Sequence, residues 1–161
     1  MEDDAELEDR VQRLEALARA VEGEVVRSDE VRASAFYLMG PGGVRASLDT
    51  SEQGAVAFRQ NDAQGRTRLL LTIQADQTPS LVLTDASGQT RLVVQVGADG
   101  CPLIRLRDAA GTPRLEALVT ADGQPQLTLF DAERRPRLVA AVASDGKPVL
   151  VKLGEDGLAA E

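Results

Sequence analysis

From Val44 onward, the chain alternates apolar and polar residues in short runs, which is the pattern of a half-buried β-strand. In the run that begins at Arg91, Leu92, Val94 and Val96 fall on one face, and the arginine falls on the other. We therefore predict strands with one aliphatic face and one mainly polar face. The equivalent apolar triplets are Leu69, Leu71 and Ile73; Leu115, Ala117 and Val119; and Leu138, Ala140 and Val142.

The runs return at a fixed interval of 23 residues, as from Arg68 to Arg91 (91 − 68 = 23). A constant period of this length is typical of repeat architectures. We predict five copies of a two-stranded β-hairpin over residues 44–157. The arginines that share this step, and that are candidates for contacts on the polar face, are Arg45, Arg68, Arg91, Arg114 and Arg137.

Two turn signatures separate the predicted strands. The first is Asp-x-x-Gly, as in Asp62 to Gly65, and it suits a type I turn in which the glycine takes a positive φ. The second is Asp-Gly, as in Asp99-Gly100, which favours a tight hairpin. Gln77 and Arg134 stand where one copy has drifted from the pattern. The turns predict about ten antiparallel strands in an unbroken meander.

An aliphatic sheet face cannot stay in contact with water, so the pattern also predicts a cover for it. Three covers are open: curling into a sandwich or barrel, winding into a solenoid, or packing against the same face of neighbouring chains. We expect a mainly β protein, an antiparallel meander of solenoid or prism-like form and trimeric, with an N-terminal coiled-coil helix.

Residues 1–27 predict that helix, because apolar side chains repeat there with heptad spacing between charged flanks. This stripe either docks on the chain's own sheet or drives self-association, and we favour self-association. Residues 28–43 form a linker and a degenerate first strand, and residues 158–161 form a tail. The predicted oligomerisation residues are Leu7, Val11, Leu14, Ala18, Val21 and Val25.

The net charge of −8 makes a nucleic-acid partner unfavourable, since an acidic chain repels a phosphate backbone. The single cysteine, Cys101, leaves no sign of an oxidising compartment. There is no apolar run long enough for a bilayer and no secretory leader. We therefore expect no membrane insertion, and a protein that is cytoplasmic or part of a larger particle.

Candidate chemistry is sparse. The sequence has no histidine, which removes the commonest general base and the usual nucleophile pairs. Cys101 has no partner base, and no nucleotide fingerprint is present. The periodic Asp residues either form a ladder of Ca²⁺ sites or simply build their turns, and one carboxylate per turn favours the second interpretation. We predict no enzymatic activity and no cofactor.

The periodic arginines allow two interpretations as well. They line a stripe for an anionic polymer or a partner protein, or they pair across strands with Asp and Glu and keep the sheet soluble. Residues 35–161 carry 15 acidic and 13 basic side chains, a balance of −2 that favours pairing.

The Asp-x-x-Gly and Asp-Gly rhythm resembles the YD (RHS-type) repeats, with leucine in the place of the tyrosines that name them. A heptad helix followed by short aliphatic β-repeats is also similar to trimeric fibre proteins of phage tails and bacterial surfaces. It is similar, too, to bacterial proteins that pair a short coiled coil with Asp-x-x-Gly-x-x-Arg hairpin repeats. These resemblances carry no catalytic residue.

We therefore expect a non-enzymatic structural or adaptor protein that self-associates through its N-terminal helix and presents a rigid β-repeat body. The alternative is a lectin-like or adhesin-like binding module that uses the polar face or the turn rows. An enzyme using Asp and Arg chemistry between subunits is the least favoured interpretation.

Overall fold

The computed structural model describes residues 8, 10–13, 33–50 and 54–160. The chain divides into two compact units, Met1–Ala33 and Ser34–Glu161. In the first unit Glu8 and residues 10–13 are helical, and Val11 is exposed. The other predicted seam residues lie outside the described part: Leu7, Leu14, Ala18, Val21 and Val25. No helix among the described residues has the length and apolar character needed to span a membrane.

The second unit is a single antiparallel sheet of eleven strands in which spatial order follows chain order. This confirms the predicted meander. The strands are β1 (Ala35–Gly40), β2 (Gly43–Thr50), β3 (Val56–Asn61), β4 (Thr67–Ile73), β5 (Pro79–Thr84), β6 (Thr90–Val96), β7 (Pro102–Arg107), β8 (Pro113–Val119), β9 (Pro125–Phe130), β10 (Pro136–Val142) and β11 (Pro148–Lys152).

Strand contacts in the described part of the sheet are strictly local. Each strand meets only the strands that precede and follow it in the chain. The hydrogen-bonded ladder begins at β1 and ends at β11, and the two do not pair with each other. The sheet is therefore an open single layer, held together by the pairing of sequence neighbours.

The two turn signatures of the sequence produce one turn geometry. In the turn from Asp62, the Asp62 N–H donates to the carbonyl of Arg66, and the Gly65 N–H donates to the carbonyl of Asp62. The Asp-Gly turn repeats both bonds, with Gly97 in the first position and Gly100 in the fourth. These are type I turns followed by a left-handed residue, the usual three-residue hairpin connection. Asp thus takes the first position in one set of turns and the third in the other.

The face that sequence alternation marks as polar is more apolar than predicted. Cross-strand pairing puts Leu70, Val82 and Val93 in one row on that face, followed by Arg105 and Glu116. We call it the mixed face. Its side chains are also the more deeply covered ones, since Ser47, Ala57, Ser80 and Thr128 all lie on it and, apart from Pro113, are the buried residues of the described part of the chain.

Candidate interaction surface

The opposite face, which we call the apolar face, carries an unbroken row of apolar side chains across all eleven strands. Each member is the cross-strand partner of the next, so the row runs through the middle of the face. The row arises because the sequence repeats every two strands with a period of 23 residues, which places an apolar residue at the same position along each strand. Its members are Phe36, Leu48, Phe58, Leu71, Leu81, Val94, Ile104, Ala117, Leu127, Ala140 and Leu150.

A second row beside it is a leucine ladder. Seven leucines follow one another without interruption, from Leu69 in β4 to Leu138 in β10. Polar residues stand only at its flanks, with Gln60 before the ladder and Lys152 after it. The intervening members are Leu83, Leu92, Leu106, Leu115 and Leu129.

The apolar face lies open in the described sheet. Leu71 is 50% exposed, Ile104 is 43% exposed and Leu150 is 66% exposed. Val96, whose triplet was expected to face a covered interior, is exposed, and Leu92 and Val94 are half-buried. Among the described aliphatic and aromatic side chains other than proline, only Ala57, on the mixed face, is buried. The strands of this chain therefore leave their own aliphatic face uncovered.

A shallow apolar cleft of about 480 Å³ runs over strands β4 to β8, between the central row and the strand ends at Pro79, Val96 and Pro102. Central-row side chains bound it, among them Leu71, Leu81, Val94 and Ile104. Sites for polar ligands combine apolar walls with a few convergent polar groups. The walls here are almost wholly aliphatic, so the cleft suits apolar side chains.

The size of the apolar face matches a stable protein interface. Eleven strands spaced about 4.8 Å apart, with about six residues per strand at about 3.3 Å each, give a footprint of about 1,000 Å². Specific interfaces bury about 800 Å² on each partner, and the largest apolar patch on a monomeric protein is about 300–600 Å². The face is therefore larger than an unpartnered surface normally is.

On the mixed face, Arg91 and Arg114 each link their own turn to the next hairpin. Arg91 donates from Nε to the carbonyl of Arg107, at 2.8 Å, and from Nη1 to Asp85, at 3.3 Å. Arg114 repeats both contacts, with the carbonyl of Phe130 and with Asp108. The partner carbonyl lies at the end of a strand, where the ladder gives way to the turn. The arginine thus supplies a donor that the backbone there lacks.

Arg68 keeps both contacts, whereas the contact of Arg137 is with its own turn aspartate. Arg68 donates to the carbonyl of Thr84 and approaches Asp62 at 3.7 Å, and Arg137 donates to Asp131 at 2.8 Å. Arg45 has Met39 where the others have an aspartate six residues earlier. From Arg68 to Arg137, the row is engaged in intrachain pairing.

Two turn aspartates, Asp85 and Asp131, are held in their ionised form. Asp85 accepts from the hydroxyl of Ser87, and that bond, with backbone N–H donors and the Arg91 guanidinium, lowers its pKa to about 2. Partial desolvation alone would raise the pKa of Asp131, but the Arg135 N–H and the guanidinium groups of Arg135 and Arg137 lower it to about 2. Each carboxylate is occupied by its own turn. Within the described ranges, no three or more Asp, Glu, Cys or His side chains gather in a metal-binding group.

Cys101 lies in the β6–β7 connection, directly before the first residue of β7, and is half-buried. Desolvation, together with the hydrogen bond and charge of Asp99, raises the pKa of its thiol. A raised pKa keeps the thiol protonated at neutral pH, and the thiolate is the nucleophilic form. This environment disfavours nucleophilic chemistry at Cys101.

The two ends of the sheet differ. The β11 end is partly closed, because Leu153 bridges to Ala159 and the Ala160 N–H donates to the carbonyl of Lys152, at 2.8 Å. The β1 end carries exposed Phe36 and Tyr37 and no charged residue, and within the described part it is paired on one side only. Charge and proline are the usual protection of an edge strand.

No protein-family model matches the chain, and no curated protein matches it. The surface itself therefore carries the functional argument. Sequence patterns predicted which residues share the apolar face. They did not reveal the Arg–carbonyl contacts, because strand-end carbonyls carry no side-chain signal.

Proposed function

We propose that this protein is a non-enzymatic structural or adaptor protein that assembles as a homo-oligomer, a trimer, and presents a rigid β-repeat body. The observation that carries the proposal is the row of eleven apolar side chains across the sheet, all of them exposed or half-buried in the described part of the chain. A sheet with one uncovered apolar face is stabilised when several chains bury that face against one another.

The N-terminal helix supplies the association signal in this proposal. Its heptad spacing suits a coiled coil, and a single helix of about 20 residues is marginal in water without a partner. The number three rests on the resemblance to trimeric fibre proteins. The helix sets the number of chains, and the β-body forms the extended and mechanically uniform part.

The mass of the full chain in solution tests the proposal. Light scattering and native mass spectrometry of the wild type should give three chains. The seam double variant Leu7→Glu/Leu14→Glu should give a smaller mass, because it buries two carboxylates in the seam. The matched control Glu15→Gln/Glu22→Gln changes flank residues and should keep the wild-type mass. A monomeric wild type, or a seam variant with unchanged mass, would contradict the proposal.

A further inference from the structure

We propose that the apolar face is the surface through which copies of this chain pack against one another, with each repeat meeting the same repeat of another copy. This deepens the proposed self-association by naming the β-sheet residues that meet, and it rests on that proposed function. It is carried by residues outside the helix.

The first ground is area. The footprint of about 1,000 Å² per chain exceeds the roughly 800 Å² per partner that a specific interface buries. A small ligand in the cleft of about 480 Å³ would cover only strands β4 to β8 and leave both ends of the face wet. The occupant must be as long as the sheet.

The second ground is period. The leucine ladder and the central row repeat with every hairpin, at the 23-residue step of the sequence. A partner that fills this face along its whole length must present side chains with the same spacing. A second copy of the chain has this spacing because its sequence is the same. If the copies are related by cyclic symmetry about an axis parallel to the central row, the same repeat of each copy lies at the same position along that axis.

The third ground is charge. The central row has no charged member, and the leucine ladder reaches a charge only at Lys152. The mixed face instead carries charged side chains, among them Arg91, Arg105 and Glu116, so copies that met through it would have to desolvate those charges. The apolar face is the place where two copies approach without bringing like charges together. It also offers no charge pattern that would select an unlike partner.

Paired cysteine variants test the inference directly. In a Cys101→Ser background, Val94→Cys places a thiol on the apolar face of β6, and Val93→Cys places one on the mixed face of the same strand. Strand β6 is the middle strand of eleven, so copies aligned either way bring Val94 close to its equivalent. Val→Cys changes little volume, and circular dichroism checks that the sheet is retained.

Under mild oxidation of the full chain, Val94→Cys should form a disulfide-linked pair at least tenfold faster than Val93→Cys. Alkylation of Val94→Cys in the native protein should be at least tenfold slower than in urea. Phe58→Cys, in the central row at β3, should also crosslink, because equal repeats meet. Crosslinking at Val94 without crosslinking at Phe58 would overturn the same-repeat alignment.

Three further results would overturn the inference itself. One is equal crosslinking of Val94→Cys and Val93→Cys in an oligomer. Another is a Val94→Cys thiol that alkylates at the unfolded rate in the native protein. The third is protection of that thiol in a protein that light scattering shows to be monomeric, since the chain would then cover its own face.

The same measurements in the Leu7→Glu/Leu14→Glu background separate this inference from the proposed role of the helix. If the mass stays trimeric and Val94→Cys still crosslinks, the helix is not the driver and the apolar face is. If the wild type is trimeric by mass and Val94→Cys does not crosslink above its control, the helix proposal stands and the face inference fails.

Discussion

The fourth residue of every hairpin turn between β3 and the C-terminus has left-handed backbone. Glycine provides it in most of them, for example Gly65 at φ 76° and Gly88 at φ 87°. Gln77 and Arg134 occupy the same position at φ 68° and 63°. A side chain with a Cβ atom is disfavoured there by about 1–2 kcal/mol, so the two drifted turns are the weak points of an otherwise regular set.

Gln77→Gly and Arg134→Gly should each raise the free energy of unfolding by about 1 kcal/mol, because glycine adopts positive φ without steric cost. Urea unfolding at fixed protein concentration measures the change. Gly88→Ala is the matched reverse substitution and should lower the unfolding free energy by a similar amount. A destabilised Gln77→Gly would show that its side chain contributes more than its backbone costs.

The turn carboxylates predict the behaviour of the protein in acid. Since the folded-state pKa values of Asp85 and Asp131 are about 2, below the unfolded value of about 3.9, folding favours the ionised form. Their contribution is present in full above about pH 4 and is lost as the pH falls through about 2.

These two carboxylates should therefore cause no change in the midpoint urea concentration above about pH 4. Between about pH 4 and pH 2 the midpoint should fall as they become protonated. The double variant Asp85→Asn/Asp131→Asn should flatten part of that slope and leave the shape above about pH 5 unchanged. Carboxyl NMR titration gives the two pKa values independently. Values near 4 for both residues would contradict this account.

At the scale of the element, the hairpin is joined to the next hairpin by its arginine as well as by the ladder. Arg91 connects the turn at Asp85 with the strand end at Arg107. A guanidinium suits this task because its planar fork offers several donors in fixed directions. Arg66 makes a useful contrast, because its bonds to Asp62 and Gln64 stay within one turn.

Arg91→Met should lower the free energy of unfolding by about 1 kcal/mol, the usual worth of a partly exposed, charge-assisted hydrogen bond. Arg91→Lys should recover less than half of the loss, because an ammonium does not reach both partners. Arg66→Met is the control at similar exposure and should cost less. An equal loss in Arg66→Met would show that the link between hairpins adds no stability.

At the scale of the whole molecule, the sheet is a linear array in which the stability of each strand depends on its two neighbours. Arrays of this kind tolerate removal of a complete unit, since the two cut surfaces are equivalent. Strands β6 and β8 begin at Thr90 and Pro113, one period apart (113 − 90 = 23). Removal of residues 90–112 joins β5 to β8 through an unchanged turn.

The variant lacking residues 90–112 should therefore fold, keep its β-sheet circular dichroism and unfold cooperatively. Deletion of Val93 alone should be more damaging, because a one-residue shift moves the rest of that strand to the opposite face. Far-ultraviolet circular dichroism and urea unfolding compare the two. If the single deletion is the milder one, contacts beyond nearest neighbours hold the sheet together.

The sequence by itself determined the meander, the positions of the strands and the membership of the apolar face, because the 23-residue period and the period-two alternation are local properties of the chain. Only the tertiary structure decided that both turn signatures share one geometry, that the second face is mixed, and that Arg91 and its equivalents cap strand-end carbonyls. Those features depend on cross-strand register and on backbone groups that a one-dimensional pattern does not encode. The structure also showed that the strands leave the apolar face open, since burial is a property of what surrounds a residue in space.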